Sequence, residues 1–294
     1  MAKLIEITGK ALSGEWGTDD ETGCGIPVLR TTNFTNEGIV NYRNVVTRTI
    51  TKKKIAEKYL RQGDIIIEKS GGSDKQPVGR VIYFDGPDST YLFNNFTGLL
   101  RVKDRNVWYP RYVFYSLFFN YRRGGTKAFE NKTTGLHNLK VDDYVSRCEV
   151  RVENIQKQVA ICEQLDRIFD IIRARQQQLQ KLDELIKARF VELFGDGNHP
   201  HIALIDLIIE GAGLSYGIVQ PGGDGTGDMG VLRPVDMVDG KISTASIKYI
   251  DRSIGDGFKK TELYGDELLI TVRVRRVMVE LPAQRERQFT PFAR

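Results

Sequence analysis

The most regular hydrophobic pattern lies past the middle of the chain, in "ENIQKQVAICEQLDRIFDIIRARQQQLQKLDELIKARFVELFG". Every seventh residue from Leu165 is aliphatic (Leu165, Ile172, Leu179, Ile186, Leu193), and a second track holds Ile155, Cys162, Phe169, Gln176, Asp183 and Phe190. This a/d seam predicts a helix of roughly 60 Å that pairs with another helix through Ile155, Cys162, Leu165, Phe169, Ile172, Leu179, Ile186, Phe190 and Leu193. The polar Gln176 and Asp183 weaken the seam at its middle, where they set register or simply face out. Gly195, directly after Phe194, supplies a left-handed stop.

Upstream the pattern is mixed. "DIIIEKS" and the alternating "RVIYF" read as strands on either side of a Gly-rich loop, "GGSDKQPVG". The aromatic run from Phe114 to Tyr121 lacks the charges of a surface strand, so it predicts a core helix ending near Gly124. The fold class is therefore α+β. Three landmarks of this first part recur in order about 200 residues later: "LIEI" at 4–7 and "LIDL" at 204–207, "VLRTTNF" at 28–34 and "VLRPVDM" at 231–237, "GDIII" from Gly63 and "GDELLI" from Gly265. Three matches in register argue for duplication of one domain type. The expected division is a first domain over 1–150, a spacer helix over 151–195, an incomplete second domain over 196–271, and a tail over 272–294 outside the repeat. That tail has six arginines, no lysine and no glycine, which marks a reading-frame accident or a switched end.

A chain of 294 residues that is 40% hydrophobic and 28% charged suits two globular domains. No apolar run approaches the roughly 18 to 20 residues of a membrane span. Three cysteines at no metal-ligand spacing (Cys24, Cys148, Cys162) need no disulfide and suggest a reducing, cytoplasmic setting. The net charge of +5 is unevenly spread: +6 over 1–150, +1 over 151–195, −6 over 196–271 and +4 over 272–294. A phosphate-neutralising surface therefore belongs to the first domain.

Catalytic patterns are missing. The chain has no G-x-x-x-x-G-K-[ST] loop, no G-x-S-x-G, H-E-x-x-H or C-x-x-C, and no Asn-Pro-Pro-Tyr type of motif for holding a flipped base. His199 and His201 in "NHPH" read as linker rather than metal ligands, and Asp19-Asp20 and Asp142-Asp143 as solvated loop charges. A stand-alone enzyme is thereby disfavoured.

With the repeat, the spacer helix and the absent active site together, the chain resembles the specificity subunit of Type I restriction-modification enzymes. "GIPVLRTTNFTNEGIV", "GDIIIEKSGGSDKQPVGRV" and "FNNFTGLLR" are similar to one class of that family's target-recognition domain. "GGTKAFENKTTGLHNL" and the long helix resemble its domain end and central conserved helix. A proline-rich turn usual before that helix is replaced here by "EVRVENIQKQ". The resemblance implies a non-catalytic reader of double-stranded DNA whose two recognition domains each read half of a split site. It also implies docking of a methyltransferase subunit holding S-adenosylmethionine and a nuclease-translocase (restriction) subunit using ATP and Mg; this chain itself would hold no cofactor. The second domain is expected to break off, with its partner helix, so that a homodimer through the long helix takes its place.

If residues 1–150 read DNA, amides and guanidiniums on loops are best suited, since Asn and Gln pair with adenine, Arg with guanine, and Gly-rich backbone approaches phosphate. The candidates are Arg30, Thr31, Thr32 and Asn33; Lys69, Ser70, Gly71, Gly72, Lys75, Gln76 and Arg80; and Asn94 and Asn95. Arg30 recurs as Arg233 in the acidic second copy, which argues equally for a role in the fold. The competing reading is a coiled-coil adaptor, or an inactive remnant, without DNA readout.

Overall fold

The computed structural model describes residues 1–51, 55–74, 76–133, 136–195, 197–208, 217–218, 227–238, 241–245, 247–265, 267–270, 279–280 and 289–291. The chain forms two compact units, Met1–Arg189 and Phe190–Arg294. The α+β expectation holds.

The first unit begins with β1 (Ala2–Lys3), α1 (Leu4–Thr8), β2 (Leu12–Ser13), β3 (Thr18–Asp19), β4 (Ile26–Leu29) and β5 (Val46–Thr49). It continues through β6 (Ile65–Glu68), β7 (Ser70–Gly72), β8 (Val81–Tyr83), β9 (Leu92–Phe93), β10 (Thr97–Leu100) and α2 (Pro110–Arg122). It ends with β11 (Glu130–Thr133), β12 (Leu136–Leu139), α3 (Val141–Arg147), β13 (Glu149–Val150) and the start of α4 (Ile155–Phe194). One sheet has the order β2-β10-β6-β8, all antiparallel; a second has the order β3-β5-β4-β9, with β4 and β9 parallel. β11, β12 and β7 form a third sheet, and β1 pairs with β13, so the two ends of residues 1–150 are clasped together.

The apolar run of β6 follows from burial on both faces. Ile65 and Ile67 enter a core with Tyr112, Val113, Phe114 and Leu117 of α2, while Ile66 enters a second core with Leu29, Phe34, Phe84 and Phe93. The neighbouring strands divide likewise, Leu100 from Leu99 and Val81 from Ile82. The first sheet is thus sandwiched between helices and the second sheet. Each fully buried isoleucine contributes roughly 1.5–3 kcal/mol. α2 starts four residues before the aromatic run, because Pro110 fits the first helical turn. It packs so closely on the loop after β4 that a Cβ at Gly38 would lie 2.6 Å from Phe114 Cζ.

α4 covers the expected spacer and opens at Asn154, whose Oδ1 accepts the Lys157 N–H at 2.8 Å. Buried Gln158 clamps this end: its Nε2 donates to the Val107 and Glu153 carbonyls, and its Oε1 accepts the Tyr109 N–H. Asp166 accepts from Arg111 Nη2 at 2.6 Å and from the Tyr115 hydroxyl, and Phe169 stacks on Tyr115 with ring centroids 5.8 Å apart. The pairing role expected of Cys162, Leu165 and Phe169 is therefore corrected: they dock the helix on its own domain, because α2 presents an aromatic face that covers them. Ile155 is half-buried. Beyond that contact the apolar stripe lies open, with Ile172, Leu179 and Ile186 joined by Ile168, Leu182 and Leu185, which the heptad reading missed. Phe190 and Leu193 are exposed too, as are Gln176 and Asp183. Gly195 extends the helical pattern, its N–H bonding the Val191 carbonyl at 2.7 Å. The left-handed glycine is Gly197, two residues on.

In the second unit the repeat is visible as geometry. β14 (Met229–Leu232) pairs antiparallel with β17 (Lys248–Ile250), as β4 does with β5, and a short hairpin of β15 (Met237–Val238) and β16 (Lys241–Ile242) lies between them. A one-turn 3-10 helix follows each "VLR": Thr31–Asn33 in one copy, Pro234–Asp236 in the other. In both, the last residue of that turn is buried and its side-chain oxygen accepts the arginine's backbone N–H, at 3.0 Å for Arg30–Asn33 and 2.9 Å for Arg233–Asp236. β18 (Leu269–Ile270) pairs antiparallel with β19 (Val279–Glu280), as β6 does with β8, and β20 (Phe289–Pro291) runs parallel to β14, as β9 does to β4. Two segments of the stretch 272–294, which composition set apart, thus take up strand positions of the repeat. Leu204–Leu207 forms a 3-10 turn where the first copy has α1, but Leu204, Ile205 and Leu207 are exposed whereas Leu4 and Ile7 are buried.

Candidate nucleic-acid interface

The end of the first sheet at which β6 stops and β10 begins gathers most of the residues chosen from sequence. Glu68 pairs with Thr97 in register, so the segments that leave these strands, 69–80 and 94–96, are neighbours. The Phe96 carbonyl accepts the N–H of Lys69 at 2.8 Å and of Ser70 at 3.3 Å. From there β7 pairs with β12, Ser70 against Asn138 and Gly72 against His137, with a bulge between the two. The chain then turns back through a tight loop in which Ser73 and Gln76 exchange backbone hydrogen bonds and Gln76 Nε2 donates to Asn36 Oδ1 at 3.3 Å.

This loop is anchored from below. The Val78 N–H donates to Glu130 Oε1 at 2.8 Å, and the Tyr121 hydroxyl donates to the Pro77 carbonyl at 3.0 Å. Buried His137 lies between carboxylates, 3.4 Å from Glu130 and 3.6 Å from Asp74. Lys69 Nζ donates to Ser13 Oγ at 2.7 Å, and burial, aided by Lys58, lowers its pKa from the ordinary value. Of the two central glycines, Gly71 is exposed with φ of +117°, whereas a Cβ at Gly72 would strike the Val78 nitrogen at 2.6 Å. Only the first lies open to a ligand.

Several sequence candidates are spent inside the fold. Arg80 is bidentate on Glu68, Nε to Oε2 at 3.0 Å and Nη2 to Oε1 at 2.8 Å, and reaches the Thr31 and Phe34 carbonyls; the Glu68 side chain is 1% exposed. Asn33 is buried, donating to the Asn41 and Arg43 carbonyls, and Arg30 Nη2 donates to the Asn44 carbonyl at 3.1 Å. Asn94 is buried, with Oδ1 3.2 Å from Thr97 Oγ1. The polar groups of Asn33, Arg80 and Asn94 are thus engaged with neighbours inside the domain, as buried polar groups generally are. Lys75 falls outside the described residues. Thr32, Ser70, Gly71, Gln76 and Asn95 stay at the surface or half-exposed, with Thr31 and Arg30 partly covered. Sequence reasoning missed Ser13, Asn36 and Phe96, which the fold brings to the same edge through the contacts above.

At the opposite end of β6 and β10 a shallow cleft of about 550 Å³ is lined by Thr8, Arg61, Gln62, Asp88, Arg101, Val102, Lys103 and Arg105. Arg101 is spoken for there by fully buried Asp64, at 2.8 and 2.6 Å. Among the described residues no group of three or more His, Cys, Asp or Glu side chains is placed to hold a metal, and no helix is long and apolar enough to cross a membrane.

The candidate edge is thus a set of amides and hydroxyls on loops held by backbone hydrogen bonds. A family model described as the Type I restriction modification DNA specificity domain matches residues 2–184, and the chain belongs to that family. The family is named for DNA specificity in Type I restriction modification. No curated protein matches. Among solved structures, the S subunit of a Type-I restriction-modification system from M. genitalium is similar at 17% identity and a TM-score of 0.41. The match covers 67% of this chain and 46% of that one, so the chain spans less than half the length of that subunit.

Proposed function

We propose that residues 1–150 read one half of a bipartite double-stranded DNA site and that α4 holds this reader in a larger Type I complex. The observation that carries the reading is the edge at which Thr32, Gln76 and Asn95 emerge from hydrogen-bonded turns, with Ser70 and Gly71 beside them on β7. Amides and hydroxyls held in this way can meet base edges, while the exposed Gly71 lets backbone approach phosphate. The methyl group would be transferred by a separate methyltransferase subunit that holds S-adenosylmethionine, and cleavage would fall to a restriction subunit using ATP and Mg.

The open stripe of α4, from Ile168 through Ile186, is more apolar surface than a solitary helix keeps in water. Its occupant in this proposal is the same helix of a second copy, antiparallel about a two-fold axis. Two identical readers so related see identical half-sites in inverted order, hence an interrupted palindrome. Binding of the purified chain to a pool of random duplexes at increasing salt tests the first claim: a recovered sequence motif supports it, and affinity that falls with salt equally on all sequences overturns it. Sedimentation tests the second, for which a stable monomer at micromolar concentration would be decisive against.

A further inference from the structure

Phe96 is the most exposed phenylalanine among the described residues of the first unit, at 52%, and it stands on the edge assigned to DNA. Nothing in the turn requires an aromatic there. Asn94 to Thr97 is closed by the Thr97 N–H and Oγ1 on the Asn94 carbonyl, at 3.1 and 2.8 Å, and the Phe96 contribution is its carbonyl, taken by Lys69 and Ser70. Any residue could supply that carbonyl. The ring is therefore a rigid apolar plate, with only two rotatable bonds, set in a surface that otherwise offers hydroxyls, amides and an ammonium: Ser13, Lys69, Ser70 and Asn95.

The plate sits where β10 starts and β6 stops, at the end of an antiparallel pair. The loop that carries it leaves one end of a four-stranded sheet, where a side chain can reach into the DNA major groove, roughly 12 Å wide, and the apolar feature of that groove is the C5 methyl of thymine. We propose that Phe96 packs on the C5 methyl of a thymine and makes the first unit prefer that base at one position of its half-site. Asn95, its exposed neighbour on the same turn, faces the adjoining pair.

This inference rests on the DNA-reading function proposed above, and the test separates the two. The full chain and its Phe96→Ala variant are each put through selection from random duplexes, and the wild-type motif is then resynthesised with deoxyuridine for thymine, one position at a time. Uracil keeps the pairing and loses only the methyl. The expected result is that the variant keeps the motif except at one thymine, and that deoxyuridine at that position weakens wild-type binding about fourfold, the worth of one buried methyl. The same replacement should leave binding by the variant unchanged. A wild type that selects no motif sinks the DNA reading and this contact with it. A wild type that selects a motif which Phe96→Ala retains in full, or which is indifferent to every deoxyuridine, sinks the contact alone. The deoxyuridine series on the wild type needs no variant to fold.

Discussion

Replacing Arg80 by alanine distinguishes a framework residue from a reader. In the fold its guanidinium grips Glu68 with two bonds of 3.0 and 2.8 Å and reaches two carbonyls of the turn after β4, while the Glu68 side chain is 1% exposed. The alanine variant leaves a carboxylate in the core without its cation, and breaking a buried pair from one side costs roughly 3–5 kcal/mol. For a unit of this size each kcal/mol moves the melting temperature by about 2–4 °C, so the midpoint should fall by roughly 6–20 °C. Substituting both partners, Arg80→Leu with Glu68→Leu, removes the stranded charge and should recover most of that loss. Thermal melts followed by circular dichroism read both variants. At a temperature where Arg80→Ala is still folded, it should keep the base preference of the parent. An unchanged melting midpoint together with lost sequence preference would refute the argument and return Arg80 to the DNA.

The cysteines give an independent check on burial: Cys24 is exposed, while burial pushes the Cys162 thiol up to about 12 and raises that of Cys148, so iodoacetamide at neutral pH should label Cys24 alone in the native chain, read by mass spectrometry. Leu179→Lys with Ile186→Lys should raise the dissociation constant of the proposed dimer at least roughly ten-thousandfold, because each buried aliphatic contributes roughly 1.5–3 kcal/mol and the two-fold counts it twice; sedimentation measures it, and an undisturbed dimer would place the interface elsewhere. Deleting residues 289–294 removes the strand that lies parallel to Met229–Leu232, so amide exchange at Gly230–Leu232 should quicken while Ile65–Ile67 stays protected; unchanged exchange at β14 would show that β20 adds nothing to it.

Regular segments were legible in the sequence because their apolar side chains recur at the period of the element that carries them. The 3.5-residue seam predicted α4 almost to its ends, and "DIIIEKS" read as a strand, though not as one covered on both faces. The interface was legible only as a neighbourhood. Nothing in the letter N says that Asn94 turns inward to Thr97 while Asn95, one residue on, turns out. Arg80 is likewise adjacent to glycine in a polar loop, yet its partner Glu68 lies twelve residues away across the strand pair. One signal was present and readable: the second copy has Asp236 where the first has Asn33. Aspartate offers a carbonyl-type oxygen but no amide N–H to donate to adenine, so an exchange between the two retains the cap on the arginine N–H and discards a base reader. Likewise the seam could not reveal that its first third belongs to α2, since a buried helix face and a helix–helix seam have nearly the same period.

On the proposed DNA-reading function, the two copies together suggest a division between frame and display. Their shared parts are those that bond to the chain itself: the strand before each arginine, the capped turn after it, and the antiparallel and parallel strands on its two sides. Their unlike parts fall between equivalent strands, where the first copy has "KSGGSDKQPVGR" between β6 and β8 and the second has "TVRVRRVM" between β18 and β19. In the first copy that loop returns its backbone hydrogen bonds mostly to itself and to the hairpin beneath it, and the core is closed below it by Arg80 and Glu68. A frame that satisfies its own polar groups puts little constraint on which side chains the loop displays. Substitution at Gln76 or Asn95 should therefore move specificity at small cost in stability, and substitution at Asn33 or Arg80 should do the reverse. A pair of variants, Asn95→Ala and Asn33→Ala, compared by melting and by duplex selection, would contradict this division if both lost stability alike or both lost sequence preference alike.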